Sequence, residues 1–150
     1  MNRRALIAML GFAALPASTW AQQQRAPRTP PPPITPENEL ERVFLAALAD
    51  AEARPMFRRT FLASQVSVAM TNAEADAEPL ELTFGALRTG AIFTSTSRQD
   101  AILGPASARR VMSGRQALQR LRGKNVVINM MMTPMLTLEP EDVASFLAQT

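Results

Sequence analysis

Four methionines close to the carboxyl end are the side chains with the most distinctive chemistry in this sequence: Met130, Met131, Met132 and Met135. Thioether sulfur is a soft ligand that suits Cu(I), and the spacing of Met132 and Met135 allows two sulfurs to meet. Strand alternation would separate Met131 from Met130 and Met132, and methionine also packs adaptably in cores and partner grooves. The sequence leaves open core packing, an interaction surface and a copper site, and we expect core packing.

The side chains that the sequence lacks exclude several chemistries. It contains no cysteine, no histidine and no tyrosine, and its single tryptophan is Trp20. Disulfides, thiol nucleophiles, zinc or haem held by Cys or His, and imidazole catalysis are therefore excluded. No His or Cys can complete a copper site with the methionines. We expect no cofactor and assign no metal ligand.

Two groups of carboxylates have the chemistry needed for general acid–base catalysis. Both stand at the predicted starts of helices, where the helix dipole stabilises negative charge, so we interpret them as helix-capping groups. The first group is Glu37, Glu39 and Glu41, and the second is Glu139, Glu141 and Asp142.

Two further segments carry polar groups without a complete site. The segment Phe93-Thr94-Ser95-Thr96-Ser97 has hydroxyls but no evident base to activate one. Gly114-Arg115 precedes a predicted helix, whose N–H groups can bind an anion. Neither forms a recognisable motif, so we assign no catalytic or cofactor-binding residue and predict that the protein is not an enzyme. A carboxylate-dependent hydrolase is the remaining enzyme option.

The first 21 residues have the order of a bacterial export signal. A basic Asn2-Arg3-Arg4 segment precedes an apolar stretch at residues 5–15, and small residues lead to Ala21. A stretch of eleven apolar residues is too short to span a bilayer, which takes about twenty. We predict cleavage after Ala21, a periplasmic or secreted location and no stable membrane span afterwards. The Arg3-Arg4 pair leaves general secretion and the twin-arginine route both open.

The net charge gives no indication of nucleic-acid binding. Sixteen basic and thirteen acidic residues give a charge of +3, and loss of Arg3 and Arg4 with the signal leaves fourteen against thirteen. A nucleic-acid surface needs clustered basic groups with aromatics, whereas Arg58-Arg59 and Arg109-Arg110 are isolated pairs. We expect no nucleic-acid partner.

Residues 22–36 differ in composition from everything that follows. They are rich in glutamine and proline, and the four consecutive prolines at 30–33 favour an extended polyproline II conformation. Nothing in this stretch can bury apolar surface, so we interpret it as a disordered linker. One domain then occupies residues 37–149.

The domain is predicted to open with two helices. Thr35 caps the first, Pro36 takes its first position, and Pro55 opens the second. The apolar stripe of the first helix comprises Leu40, Val43, Phe44, Ala47 and Leu48, and that of the second comprises Phe57, Phe61 and Leu62. Two adjacent amphipathic helices indicate a helical hairpin packed on a sheet.

The rest of the domain alternates short strands and helices. Strands are predicted at residues 66–70, 80–84, 91–94, 109–112 and 125–129, the last buried on both faces. Three further helices are predicted. The first spans residues 97–103 with Ser97 as its cap, the second follows a capping box formed by Ser113 and Gln116, and the third begins at Pro140. We predict an α+β fold, with a mixed or antiparallel sheet of about five short strands, a packed N-terminal helix pair and a C-terminal helix.

Several short segments follow one another in the order and spacing of a known family. They are Asn38-Glu39-Leu40-Glu41, Ala46-Ala47-Leu48-Ala49-Asp50, Ala53-Arg54-Pro55-Met56-Phe57, Ile92-Phe93-Thr94-Ser95, Met112-Ser113-Gly114-Arg115-Gln116-Ala117-Leu118, Val127-Ile128-Asn129 and Leu138-Glu139-Pro140-Glu141-Asp142-Val143. Together they resemble the SseB N-terminal domain family over about residues 37–149. The sequence departs from the family where Met130-Met131-Met132 replaces a Pro-Gly-Ser turn.

The resemblance implies an α+β domain of about this size and offers no established catalytic residues. We therefore expect an exported, non-enzymatic protein-interaction module with a protein partner in the cell envelope. The alternative is an exported Met-rich Cu(I)-binding protein. Partner identity and oligomeric state do not follow from the sequence.

Overall fold

The computed structural model describes residues 29–149, and the predicted signal peptide at 1–21 lies outside them. The chain from Pro31 onward forms one compact unit. Within the described residues, no helix is both long and apolar enough to cross a membrane.

Six strands and five α-helices make up the described part of the chain. The strands are β1 (Gln65–Ala69), β2 (Glu81–Phe84), β3 (Leu87–Phe93), β4 (Arg109–Ser113), β5 (Asn125–Ile128) and β6 (Leu136–Leu138). The helices are α1 (Glu39–Ala49), α2 (Arg54–Ala63), α3 (Thr96–Leu103), α4 (Gly114–Arg120) and α5 (Pro140–Leu147), and a 3₁₀ turn at Ala51–Ala53 joins the first two.

All the strands belong to one mixed sheet. Its order is β4-β1-β3-β5-β6, with β2 paired to the amino-terminal half of β3. The β3–β5 pair is parallel and the other pairs are antiparallel. The predicted α+β class, the mixed sheet, the N-terminal helix pair and the C-terminal helix are confirmed, with one more strand than expected.

One face of the sheet carries the larger core. Strand residues such as Val68, Ile92 and Ile128 point to this face and are fully buried under α1, α2, α4 and α5. Aromatic rings join the helices: Phe44 of α1 stacks on Phe57 of α2 with ring centroids 4.4 Å apart. The predicted helical hairpin therefore packs on a sheet, as its two apolar stripes require.

The opposite face carries a smaller core. Ala91, Phe93 and Val127 alternate with the residues of the first face and pack with Met130 against Ile102 of α3 and its neighbours. Because both faces are covered, β1, β3 and β5 contain near-continuous buried runs. The prediction that the strand at 125–129 is buried on both faces is thus confirmed for β5.

A glycine in β3 lies directly against Leu121, the residue that follows α4. Leu121 packs so tightly over Gly90 that a Cβ at position 90 would overlap the Leu121 side chain. Gly90 is buried, and a side chain at this position would require the Leu121 side chain to shift.

The helix starts differ from the sequence predictions. Asn38, not Thr35, caps α1, because its Oδ1 accepts the Glu41 N–H at 2.9 Å. Ser95, not Ser97, caps α3, and its Oγ accepts the Arg98 N–H at 3.2 Å. The predicted capping box of Ser113 and Gln116 is present at the start of α4.

Three further predictions need correction. Leu48 is 55% exposed and does not belong to the core, because it lies at the edge of the buried stripe of α1. The turn between β2 and β3 is shorter than expected, since β3 begins at Leu87 and Gly85 takes a left-handed φ of 64°. Strand β6 was not expected, because its three residues are too few to show alternation.

The compact unit that begins at Pro31 includes residues ahead of position 37, the predicted start of the domain. The Ile34 N–H donates to the Thr133 carbonyl at 2.9 Å, and the Thr133 hydroxyl donates to the Pro31 carbonyl at 2.6 Å. Residues 31–34 therefore lie against the segment that connects β5 to β6.

Candidate functional site

A buried polar cluster occupies the carboxyl ends of the two parallel strands. Thr94 directly follows β3 and Asn129 directly follows β5, so the parallel pairing brings them together. The Thr94 N–H donates to Asn129 Oδ1 at 2.9 Å, and Asn129 Nδ2 donates to Thr94 Oγ1 at 3.0 Å. Asn129 adopts a left-handed φ of 54°, a conformation that asparagine tolerates better than most residues.

Glu41 of α1 supplies the charge in this cluster. Its carboxylate is fully buried and accepts the Thr94 hydroxyl at 2.6 Å and the Glu37 N–H at 2.7 Å. Arg98 of α3 donates to the same carboxylate from Nε and from Nη2, each at 2.9 Å. Both oxygens of Glu41 are therefore occupied by donors from the chain itself.

These contacts decide the ionisation of Glu41. Burial alone would raise the pKa of the carboxyl, but the hydrogen bonds from Arg98, Thr94 and the Glu37 N–H, with the charge of Arg98, hold this pKa below the ordinary value of 4.5. The hydrogen bonds to Glu41, with the charges of Glu41 and Glu37, raise the pKa of the Arg98 guanidinium against the effect of burial. The pair is therefore charged at neutral pH.

The geometry suits a structural role. Ligands of open α/β sheets commonly bind at the carboxyl ends of parallel strands, but here side chains of α1 and α3 fill that position. No buried side-chain nitrogen or oxygen among the described residues lacks a hydrogen-bond partner. Glu41, Arg98, Thr94 and Asn129 thus join two helices to two strands and leave no buried group directed at a ligand.

Of the other predicted carboxylates, Glu37 borders this cluster, because its Oε1 lies 3.7 Å from Arg98 Nη2. Glu37 accepts the Ser97 hydroxyl at 2.6 Å near the start of α3, and Glu39 forms an exposed ion pair with Arg42. At the start of α5, Asp142 accepts the Glu139 N–H at 3.0 Å. Asp142 is a helix-capping residue, as predicted. Glu41 is instead a buried carboxylate in an ion pair with Arg98, which is distant in the sequence.

The remaining polar candidates make intramolecular contacts. Arg115 donates to the carbonyls of Leu147 and Gln149 at the end of α5, at 3.2 and 2.6 Å. Gly114 packs directly on the Phe61 carbonyl, a contact that a Cβ would prevent. Gly114-Arg115 therefore joins α4 to α2 and α5, and its arginine is directed at backbone carbonyls.

The four methionines differ in burial and surroundings. Met130 is 7% exposed and belongs to the smaller core, which agrees with the expected packing role for this residue. Met131 has a left-handed φ of 60° and is 63% exposed, and Met132 is half-buried. Met135 lines a surface groove. The segment thus divides between a core residue and residues available at the surface.

This surface groove is the second candidate site, and we call it the β6 groove. It lies among α1, α2, β6 and α5, has a volume of about 390 Å³ and is partly open to solvent. Its apolar lining includes Phe44, Leu48, Phe57, Met135 and Phe146. Two large apolar side chains of this lining, Leu48 and Met135, are 55% and 39% exposed.

Two arginines of α2 give the β6 groove a positive rim. Arg54 and Arg58 both line it, and the Arg58 guanidinium lies 5.1 Å from the centroid of the Phe146 ring. Neither arginine forms an ion pair with any described residue. Asp142 is the one carboxylate among the described lining residues, and it already accepts the Glu139 N–H.

No metal-binding group of three or more Asp, Glu, His or Cys side chains occurs in the part of the chain that the structure describes. No protein-family model, no curated protein and no solved structure matches the chain. The resemblance to the SseB N-terminal domain family therefore depends on the sequence segments alone.

Both sites contain residues that sequence reasoning missed. Arg98 lies 57 positions from Glu41, and no local pattern connects them. A usable signal existed for Thr94 and Asn129, since each is the first polar residue after a buried strand. The β6 groove is formed by an unexpected strand and by a leucine that was predicted to lie in the core, so no sequence pattern indicated it.

Proposed function

We propose that this chain is an exported, non-enzymatic module that binds another protein of the cell envelope through the β6 groove. The observation that carries the proposal is the exposure of Leu48 and Met135 in the lining of a depression that also contains Phe44, Phe57 and Phe146. Such rimmed apolar depressions are typical of interaction surfaces.

The state of the polar groups supports a binding role over catalysis. The buried carboxylate with the most unusual environment, Glu41, has its donors and its counter-ion within the chain. A general acid or base needs a lone pair or proton directed at a substrate. The family in this proposal comes from the sequence resemblance to the SseB N-terminal domain family. The envelope location comes from the predicted export signal.

The test is retention of a defined envelope protein by the immobilised mature chain. We expect a partner to be retained by the wild type and by Leu87→Asp, and to be lost with Leu48→Asp. Leu87 is a matched control because it is also an exposed leucine, at 47%, outside the β6 groove. Equal retention by both variants would locate binding elsewhere and contradict the role of the groove.

Location is tested separately by the mature terminus. Mass spectrometry of protein purified from the envelope is expected to find Gln22 as the first residue. An intact Met1 on that protein would contradict export with cleavage.

A further inference from the structure

We propose that the β6 groove binds its partner as an added β-strand: an extended segment of another protein in which a short apolar run is flanked by aspartate or glutamate. This inference deepens the proposed function, because it names the chemistry of the occupant and the way it pairs. Three observations of the described residues carry it.

The first observation is the free edge of β6. Among the described strands, β6 pairs only with β5, so its outer edge presents backbone N–H and C=O groups without a strand partner. An extended peptide can satisfy these groups by adding a strand to the sheet. No such pairing is possible at an interior strand.

The second observation is that the groove follows this edge. Four consecutive residues, Met135, Leu136, Thr137 and Leu138, line it. Successive side chains of a strand point to opposite faces, so a depression lined by all four runs along the strand rather than over one face. A peptide that pairs with β6 would lie in the groove that Leu48, which is 55% exposed, also lines.

The third observation is the charge of the rim. Arg54 and Arg58 line the groove without an ion-pair partner among the described residues, which favours carboxylates in the occupant. The opposite edge strand, β4, differs in this respect. Its Arg109 binds Asp100, and Arg110 donates to the carbonyls of Glu74 and Ala75.

The same charge argument disfavours two other occupants. Residues 22–30 precede the segment that contacts Thr133, but they contain Arg25 and Arg28 and no carboxylate. In a symmetric pair of copies, each groove faces its equivalent, which would bring Arg54 and Arg58 of both copies together. A segment of a different, acidic protein avoids both repulsions.

The direct probe is a synthetic peptide of eight residues, with four alternating valines and leucines between pairs of glutamates. Its matched control carries lysine at the four glutamate positions. We expect the glutamate peptide to bind the mature chain about tenfold more tightly than the lysine peptide in a fluorescence titration. Amide shifts on binding should concentrate at β6 and α2.

Two pairs of variants test the contacts. Arg54→Glu should weaken binding of the glutamate peptide about fivefold. Arg59 is an exposed arginine of α2 outside the groove, so Arg59→Glu should leave the affinity unchanged. Leu48→Ala should weaken binding, and Leu87→Ala should not. Two versions of the glutamate peptide, methylated on the backbone nitrogens of its odd or of its even residues, test the strand pairing. Only one of them should lose binding, because only one of these two sets of N–H groups faces β6.

Several results would overturn the inference. These are absence of binding, equal affinity for the two peptides, or equal effects within either pair of variants. A photo-crosslinker at Leu48 in the purified mature chain that couples to residues 22–30, or to a second copy, would also overturn it. If envelope capture still depends on Leu48 while the peptide fails, the proposed function stands and only the strand-addition inference fails.

Discussion

Arg98 holds Glu41 with two nitrogens, Nε and Nη2, each 2.9 Å from a different oxygen of the carboxylate. This bidentate geometry is the strongest form of an arginine–carboxylate pair. It joins the first turn of α1 to the first turn of α3 across 57 residues of sequence. The pair thereby fixes α1 and α3 relative to the carboxyl ends of the parallel strands.

Removal of one member of this pair should be costly. Arg98→Ala leaves the fully buried Glu41 without its counter-ion, and we expect a loss of about 3–5 kcal/mol in the free energy of unfolding. Arg42→Ala is the control, because Arg42 pairs with Glu39 at the surface and should cost less than about 1 kcal/mol. Denaturant titration measures both, and similar losses for the two variants would contradict the structural role of the cluster.

Stability should also depend on acid through Glu41. The folded-state pKa of Glu41 lies below its ordinary value of 4.5, so the unfolded chain takes up this proton first as the pH falls. The stabilising contribution is complete above the unfolded pKa and disappears as the pH falls through the folded pKa. We expect the free energy of unfolding to decrease below about pH 4.5.

The variant Glu41→Gln tests this assignment, because it keeps the shape of the side chain and removes the titration. It should be less stable than the wild type at neutral pH, and its stability should fall less steeply in acid. Parallel pH profiles for the two proteins would show that other groups cause the acid dependence.

Truncation of two apolar residues should have very different effects. Ile128→Ala should lower the free energy of unfolding by about 2–5 kcal/mol, because Ile128 is fully buried in the larger core. Leu48→Ala should change it by less than about 0.5 kcal/mol, because Leu48 is 55% exposed. Thermal or denaturant unfolding distinguishes them, and a large cost at Leu48 would place it in the core after all.

The methionines should also behave unequally. Met130→Ala should destabilise the protein by about 2–5 kcal/mol, whereas Met131→Ala should be nearly neutral, since the two are 7% and 63% exposed. Because Met130 and Met135 lie at different places, we expect no stoichiometric Cu(I) binding. Tight Cu(I) binding that is lost on replacing all four methionines with leucine would favour the copper alternative.

Much of the fold was predictable because its signals are local. The α+β class, the second helix with Pro55, the capping box at Ser113 and the strand that became β5 each follow from a short stretch of sequence. Errors occurred where several residues compete for one role. Asn38 and Ser95 became caps instead of Thr35 and Ser97, and the competition is decided by tertiary contacts such as Asn38 Nδ2 to the Thr94 carbonyl at 3.3 Å.

The candidate sites were far less predictable. Glu41 looks like any acidic residue of a first helical turn until β3 and α3 bring Thr94 and Arg98 against it. The β6 groove depends on how α1 sits beside an edge strand of three residues. Neither relationship is local in sequence, so periodicity and composition give no indication of them. Three of the resembling segments, those containing Glu41, Thr94 and Asn129, nevertheless meet in one cluster.

The β6 groove is the proposed surface at which this chain meets a partner protein. The most direct measurement places a photo-crosslinking amino acid at Leu48 or at Leu87 in cells and identifies the adducts by mass spectrometry. We predict an adduct with one envelope protein from position 48, through a segment with an apolar run flanked by acidic residues, and no such adduct from position 87. The same adduct from both positions, or none from position 48, would contradict it.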